Sequence, residues 1–184
     1  MRYNAQIVKQ NLIIIYKEKM MKIPGPDNSL SQSAKTVQDA LAKKGLSFKV
    51  VELATSTRTA NEAAATIGCE VAQIIKSLVF RTKETHKPVL VLASGVNRVN
   101  EKMIEKEIKE KIVKADATFT KDVTGFAIGG VPPIGHKQVI VTLIDEDLLK
   151  FEELWAAAGT PNAVFNLHST DLNRLTDGKI ISIK

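Results

Sequence analysis

The sequence predicts an α/β domain of the α+β kind, built on a mixed sheet that can curl into a barrel. Three observations carry this. Ser77-Leu78-Val79-Phe80 and Val89-Leu90-Val91-Leu92 are continuous apolar runs with the length of buried strands, and a charged turn, Arg81 to Lys87, separates them like the loop of an antiparallel pair. Helix signals alternate with strand signals, but without strict β-α-β order. No internal repeat is visible, so one domain of ordinary size is expected.

The elements follow in chain order. Ser29 to Lys44 has the pattern of an amphipathic helix: Leu30, Ala34, Val37 and Leu41 share a face, and Gly45 is a natural stop. Ser47 to Leu53 has strand character. Thr59-Ala60-Asn61-Glu62 is a capping box, which opens a short helix closed by Gly68. Asn100 to Ile112 reads as a charged helix with Met103, Ile104, Ile108 and Ile112 inward, and its Glu105–Lys109 and Glu107–Lys111 spacings suit i,i+4 ion pairs. Ala117 to Thr120 is expected as a short strand. Thr124 to His136 is a loop rich in Gly and Pro, and Gln138 to Ile144 is a strand. Residues 146–165 remain divided on residue pattern alone. Trp155-Ala156-Ala157-Ala158 favours helix, while Gly159-Thr160-Pro161-Asn162 followed by Val164-Phe165 favours a turn and a return strand. Asp171 to Leu175 is a short helix capped by Ser169 or Thr170, and Lys179 to Ile183 is the last strand.

Composition narrows the function classes. The 184 residues are 44% hydrophobic and 25% charged, the balance of a globular protein that needs no staples. One cysteine, Cys69, excludes an intramolecular disulfide framework. It follows a helix-stopping glycine and reads as a packed thiol rather than a nucleophile. Cys69 with His86, His136 and His168, scattered as they are, makes a zinc site unexpected, and no cofactor signature is present. No apolar run is long enough for a membrane helix, so no membrane partner is expected.

The net charge of +6 is unevenly spread. Residues 1–27 carry +3, residues 28–144 carry +6, and residues 145–184 carry −3. A basic excess permits a polyanionic partner. Residues 1–27 are an extension set off by Lys22-Ile23-Pro24-Gly25-Pro26. Either they are non-native, with Met20 or Met21 the true start, or they form a docking arm or extra edge strand. The domain proper is 28–184. The Leu12–Ile15 run is too short for a signal-peptide core, so a cytoplasmic location is expected.

Two features could do chemistry. Lys76 opens an apolar run, so it must snorkel, pair or face a pocket. It is either an exposed strand-end lysine or a cation presented to a phosphate or carbonyl oxygen. Gly129-Gly130-Val131-Pro132-Pro133-Ile134-Gly135-His136 has three glycines that permit close backbone approach and two prolines that fix φ. Such a loop would contact a ligand through its backbone.

These segments together resemble the YbaK family, the free-standing relatives of the prolyl-tRNA synthetase editing domain. The resemblance rests on Thr59 to Ala64, Ile75 to Phe80, Ser94-Gly95 with Arg98-Val99-Asn100, Thr124-Gly125-Phe126 through Gly135, Leu143-Ile144-Asp145, Ala158 to Asn162 with Val164-Phe165, and Asp171-Leu172. It spans roughly residues 30–183, and its specificity lies in the ordered set. It implies a partly closed mixed β-barrel surrounded by helices, with a hairpin over 153–166. It implies a trans-editing hydrolase that deacylates proline tRNA carrying a wrong small amino acid (Ala, Cys, Ser or Thr), with tRNA and prolyl-tRNA synthetase as partners.

Lys76 would hold the substrate, and backbone of Gly129, Gly130 and Pro133 would position the ester, the ribose hydroxyl or the attacking water. Ser77, Val131, Pro132, Gly135, Asp145, Arg98 and Asn162 would complete the substrate site. The alternative is an inactive tRNA- or nucleotide-binding module on the same fold. One departure stands out: relatives commonly have Gly-Asp where this chain has Gly95-Val96, so any role of that Asp is absent or passes to Asn97.

Overall fold

The computed structural model describes residues 30–55 and 57–184. The two readings of residues 1–27, and the expected helix start at Ser29, lie outside the described residues. Helix α1 runs Gln32–Lys43, with Ser31 as its N-cap and Ala34, Val37 and Leu41 buried. Strand β1 is Val50–Glu52. Helix α2, Ala60–Ile67, has the full capping box on Thr59 and Glu62 and ends at Gly68 with φ 85°. Strands β2, Ile74–Thr82, and β3, Pro88–Ser94, pair antiparallel. Val89, Val91 and Ala93 pack in one apolar cluster while Leu90 and Leu92 pack in another. Burial on both faces is why this strand is a continuous apolar run rather than an alternating one.

Helix α3 is Glu101–Ile108, shorter than expected. Lys109 adopts a left-handed φ of 62° and ends it, and Ile112 opens strand β4, Ile112–Lys114. The expected i,i+4 pairs are replaced. Glu105 accepts from Ile112 N and pairs with Lys111 at 3.2 Å, and Glu107 pairs with Lys179 at 2.6 Å. The expected strand at 117–120 is instead helix α4, Ala117–Thr124. Its Asp116 cap accepts from Phe119 N at 2.8 Å, and Thr120, Val123 and Thr124 bury one helical face. Tertiary burial here overrides the strand propensity of threonine and phenylalanine.

Strand β5 is Val141–Asp145. A short 3₁₀ turn, Glu146–Lys150, leads to β6, Glu153–Ala157, and β7, Ala163–His168. These two strands pair antiparallel, so 153–166 is the hairpin that the resemblance implied. Helix α5, Leu172–Thr176, follows a 3₁₀ turn over Ser169–Asp171 and has no side-chain cap, unlike the Ser169 or Thr170 cap expected. Strand β8 is Lys179–Ile181.

The sheet is mixed, in the order β1-β7-β6-β2-β3-β5-β8, with β4 also on β2. The end strands β1 and β8 do not pair, so the sheet is not closed by hydrogen bonds. Strand β2 makes the arrangement useful. One edge pairs with β3 along its length, from Ile75 to Arg81. The other edge takes β6 at Ile74 and Ile75, then β4 at Phe80 to Thr82. Between those two partners, residues 76–78 face a gap in the sheet, since the Val79 carbonyl already accepts from Ala115 N at 3.1 Å.

Candidate active site

The gap is where the chemistry-bearing residues gather. Two adjoining cavities, of about 450 Å³ and about 510 Å³, open on it. Both are lined by Lys76, Ser77 and Leu78 from β2 and by Ile128, Gly129 and Val131 from the Gly-Pro loop. The first cavity is otherwise walled by Ile67, Ile74, Trp155 and Val164, with Arg58 and Asn61 at its polar side. The second carries Asn97, Arg98, Glu101 and Lys114. The cavities therefore share one rim, and cationic side chains line both of them.

Lys76 sits on that rim. Its Nζ donates to the Asn97 carbonyl at 2.5 Å, which leaves further N–H donors for a ligand. Burial lowers its pKa; the nearby Asp145 charge pulls the other way, and Arg98 adds to the lowering. Ser77 Oγ is buried and has no hydrogen-bond partner among the described residues. A buried hydroxyl without a partner is costly unless something else satisfies it, and Ser77 is a residue of both cavity linings.

The Gly-Pro loop is held from behind. Gly129 has φ 89°, a backbone state that favours glycine, and it faces the cavities with nothing within 4 Å of a would-be Cβ. Gly130 is packed instead: a Cβ there would lie 2.8 Å from Thr160 Cα. Its carbonyl accepts from Gly159 N at 2.9 Å, which ties the loop to the β6–β7 turn. The same turn holds the first cavity's other wall, since Thr57 N and Oγ1 both donate to the Pro161 carbonyl at 2.7 Å. His136 closes the loop on itself, its Nε2 bonding to the Pro132 carbonyl at 2.8 Å. A carbonyl only accepts, so that nitrogen carries the proton. Burial lowers the His136 pKa, which favours the neutral ring.

Asp145 lies behind the rim, fully buried at the end of β5. Its Oδ2 accepts from Ser94 N at 3.0 Å and from Asn97 Nδ2 at 2.8 Å. Gly95 permits this turn, because a Cβ there would meet the Val71 carbonyl oxygen at 2.0 Å. Val96 is 61% exposed and lines neither cavity.

Of the residues expected at the site, Lys76, Ser77, Gly129 and Val131 line both cavities, and Arg98 lines the second. Gly130, Pro132 and Pro133 are buried in the loop's supporting side, and Gly135 carries the φ of 85° that turns the chain toward His136. Asp145 supports the site without lining a cavity. Asn162 is exposed on the hairpin turn, where its carbonyl accepts from Leu53 N, and it does not line either cavity. Sequence reasoning left Arg58, Asn61, Lys114 and the brace at His136 unassigned. Of these, only His136 carried a local signal, as the ring beside the loop's last glycine.

Cys69 is half-buried and its thiol is pushed up to about 11 by burial, as suits a packed thiol. Among the described residues, no group of three His, Cys, Asp or Glu side chains is placed to hold a metal ion. No helix among them is long and apolar enough to cross a membrane.

Comparison with known proteins agrees with this geometry. A crystal structure of a candidate trans-editing enzyme for prolyl tRNA synthetase matches at 45% identity and a TM-score of 0.81, covering 85% of this chain and 99% of that one. YwhH of Bacillus subtilis, an uncharacterized protein, is 28% identical over 148 residues, which are 80% of this chain and 94% of YwhH. EbsC of Enterococcus faecalis, a candidate Cys-tRNA(Pro)/Cys-tRNA(Cys) deacylase, is 27% identical over 128 residues, 68% of this chain and 76% of EbsC. The model of the aminoacyl-tRNA editing domain matches residues 54–175, the stretch that holds β2, the Gly-Pro loop and the hairpin that braces it. The chain belongs to the aminoacyl-tRNA editing domain family and, with it, to the aminoacyl-tRNA deacylases.

Proposed function

We propose that this protein acts in trans on proline tRNA mischarged with a small amino acid (Ala, Cys, Ser or Thr) and hydrolyses the ester. The carrying observation is the pairing of Lys76 with the partnerless Ser77 hydroxyl on the rim shared by the two cavities. The aminoacyl group enters the first cavity. Its apolar walls, Ile67, Ile74, Trp155 and Val164, disfavour a charged side chain, whose desolvation they would not repay. The terminal nucleotide lies over the second cavity, where Arg98 and Lys114 meet its phosphate.

Water attacks the ester carbonyl carbon, the carbonyl oxygen takes the negative charge, and the ribose oxygen leaves with a proton. An aminoacyl ester is already activated, so positioning does most of the work. Lys76 and the oriented dipoles around Gly129 stabilise the developing oxyanion. Ser77 hydrogen-bonds the substrate, and the uncharged His136 keeps the loop in shape. No catalytic triad is required. Cysteine and the proline tRNA are supported by the likeness to EbsC, prolyl-tRNA synthetase as partner by the likeness to the candidate trans-editing enzyme, and the other small amino acids by the resemblance alone.

The test is a deacylation panel on proline tRNA charged with Ala, Cys, Ser or Thr, with wild type and Lys76→Ala. We expect turnover on at least one substrate and its loss in the variant, with an unchanged melting curve. Retained tRNA binding without turnover on any substrate would make the protein a binding module and overturn the hydrolytic reading.

A further inference from the structure

The Lys76 ammonium does not aim itself. Among the described residues its one hydrogen bond runs to the carbonyl of Asn97, and the Asn97 side chain is clamped in turn. Nδ2 donates to Asp145 Oδ2 at 2.8 Å and to Asp147 Oδ2 at 2.7 Å. Both neighbours are carboxylate oxygens, so the amide can present only its NH₂ end to them. Asp145 is fixed by Ser94 N and, through Oδ1, by Asp147 N at 3.1 Å. Asp147 also holds Lys150 at 2.6 Å and Lys184 at 2.5 Å. These contacts, Lys150 first, keep its carboxyl well below the ordinary carboxylate range.

We propose that Asn97 is the positioning residue for Lys76: its neutral amide bridges two carboxylates so that its own carbonyl holds the ammonium on the rim between the cavities. The inference rests on the reading of Lys76 as the cation that holds substrate. It also accounts for the departure at Val96. That side chain is exposed, and the polar work of the turn is done one residue later.

The charge balance shows why residue 97 is an amide. The groups facing it are Lys76 from β2, Asp145 from β5, and Asp147 from the 3₁₀ turn. Lys150, Lys184, Glu146 and Arg98 lie in the surround. A carboxylate at 97 would sit within hydrogen-bond distance of two others. Like charges so close cannot all ionise, so an aspartate there is accommodated only when a proton is shared. Asn97→Ala removes both bridges at every pH. Asn97→Asp removes both while the extra carboxyl is ionised and regains one of them when it is protonated, because a carboxylic acid has a single O–H to donate.

Both variants should lower kcat by roughly 10- to 100-fold at pH 7.5, the effect of a misplacement on the order of 1 Å, with little change in KM for tRNA. As pH falls toward 5, the Asn97→Asp rate relative to wild type should recover several-fold, while the Asn97→Ala ratio stays flat. A merely structural residue would give two flat ratios. Wild-type kcat in Asn97→Ala, or a flat ratio for Asn97→Asp, overturns the inference. A second measurement does not need turnover: in protein labelled with ¹³Cε-lysine, Asn97→Ala should displace the Lys76 signal and its titration, and an unmoved signal also overturns it. If Lys76→Ala retains full turnover, the reading of Lys76 fails. If that variant is dead and Asn97→Ala is normal, only the role of Asn97 fails.

Discussion

Replacing Gly130 by alanine tests whether the β6–β7 turn holds the substrate loop. The added Cβ would lie 2.8 Å from Thr160 Cα and 2.9 Å from its C and N, all backbone atoms. No flexible side chain can move aside, so either the loop or the turn must shift. Overpacking of this kind costs about 1–3 kcal/mol, and weakening the Gly159 N–Gly130 O bond costs about 1 kcal/mol more. Together they give about 2–4 kcal/mol, which lowers Tm by about 5–15 °C in a domain of this size. The shift moves Gly129 and Val131 with it, so kcat should fall by about 10²-fold for a displacement near 1 Å. Thermal unfolding by circular dichroism and single-turnover deacylation read the two effects. A Gly130→Ala protein that melts within a degree of wild type and deacylates normally would refute the clamp.

Two further outcomes follow from individual side chains. Ser77→Ala removes a buried hydroxyl that has no partner, so Tm should stay level or rise, while deacylation falls by about 5- to 10-fold through loss of one substrate hydrogen bond; a lower Tm with normal turnover would assign the hydroxyl to the fold instead. Glu110 accepts from Thr85 N, Glu84 N and Thr85 Oγ1 across the β2–β3 turn, and its carboxyl is pushed down to about 2, chiefly by the Thr85 amide. A depressed pKa stabilises the fold fully above the ordinary value of 4.5 and progressively less toward pH 2. The gap in urea midpoint between wild type and Glu110→Gln should therefore narrow across that window, and a constant gap would contradict the argument.

Local signals were the most legible. The capping box at Thr59 and the stop at Gly68 stand as expected, because both are decided within one helical turn. The paired runs around Arg81 to Lys87 were legible because β3 is buried on both faces. Errors arose where a distant partner decides the outcome. Ile112 has helical spacing from Ile108, yet it pairs with Thr82 as a strand. Phe119 lies in a helix, where Arg81 stacks over its ring at 5.6 Å, although its neighbours favour a strand. The site divides in the same way. Lys76 and the Gly-Pro loop could be found from unusual residues in one segment. Asn97 was indicated only through the departure at Val96, and Lys114 and Arg58 could not be found, because they come to the site only when β2 splits its pairing between β6 and β4.

That split also changes what the net charge means. The ion pairs among the described residues engage Lys44, Lys111, Lys150, Lys179 and Lys184, all away from the cavity walls. Arg58, Lys76, Arg98 and Lys114 line the cavities, and none of them is in those pairs. All four belong to residues 28–144, which hold the +6 excess. Cations that are paired elsewhere contribute little to the outer field, whereas unpaired cations around a concave, low-dielectric wall focus it. Most of the basic body's unpaired cations lie elsewhere on the surface, but Arg58, Lys76, Arg98 and Lys114 gather at the gap in the sheet, so under the proposed function the affinity for a polyanionic RNA end should fall steeply with salt.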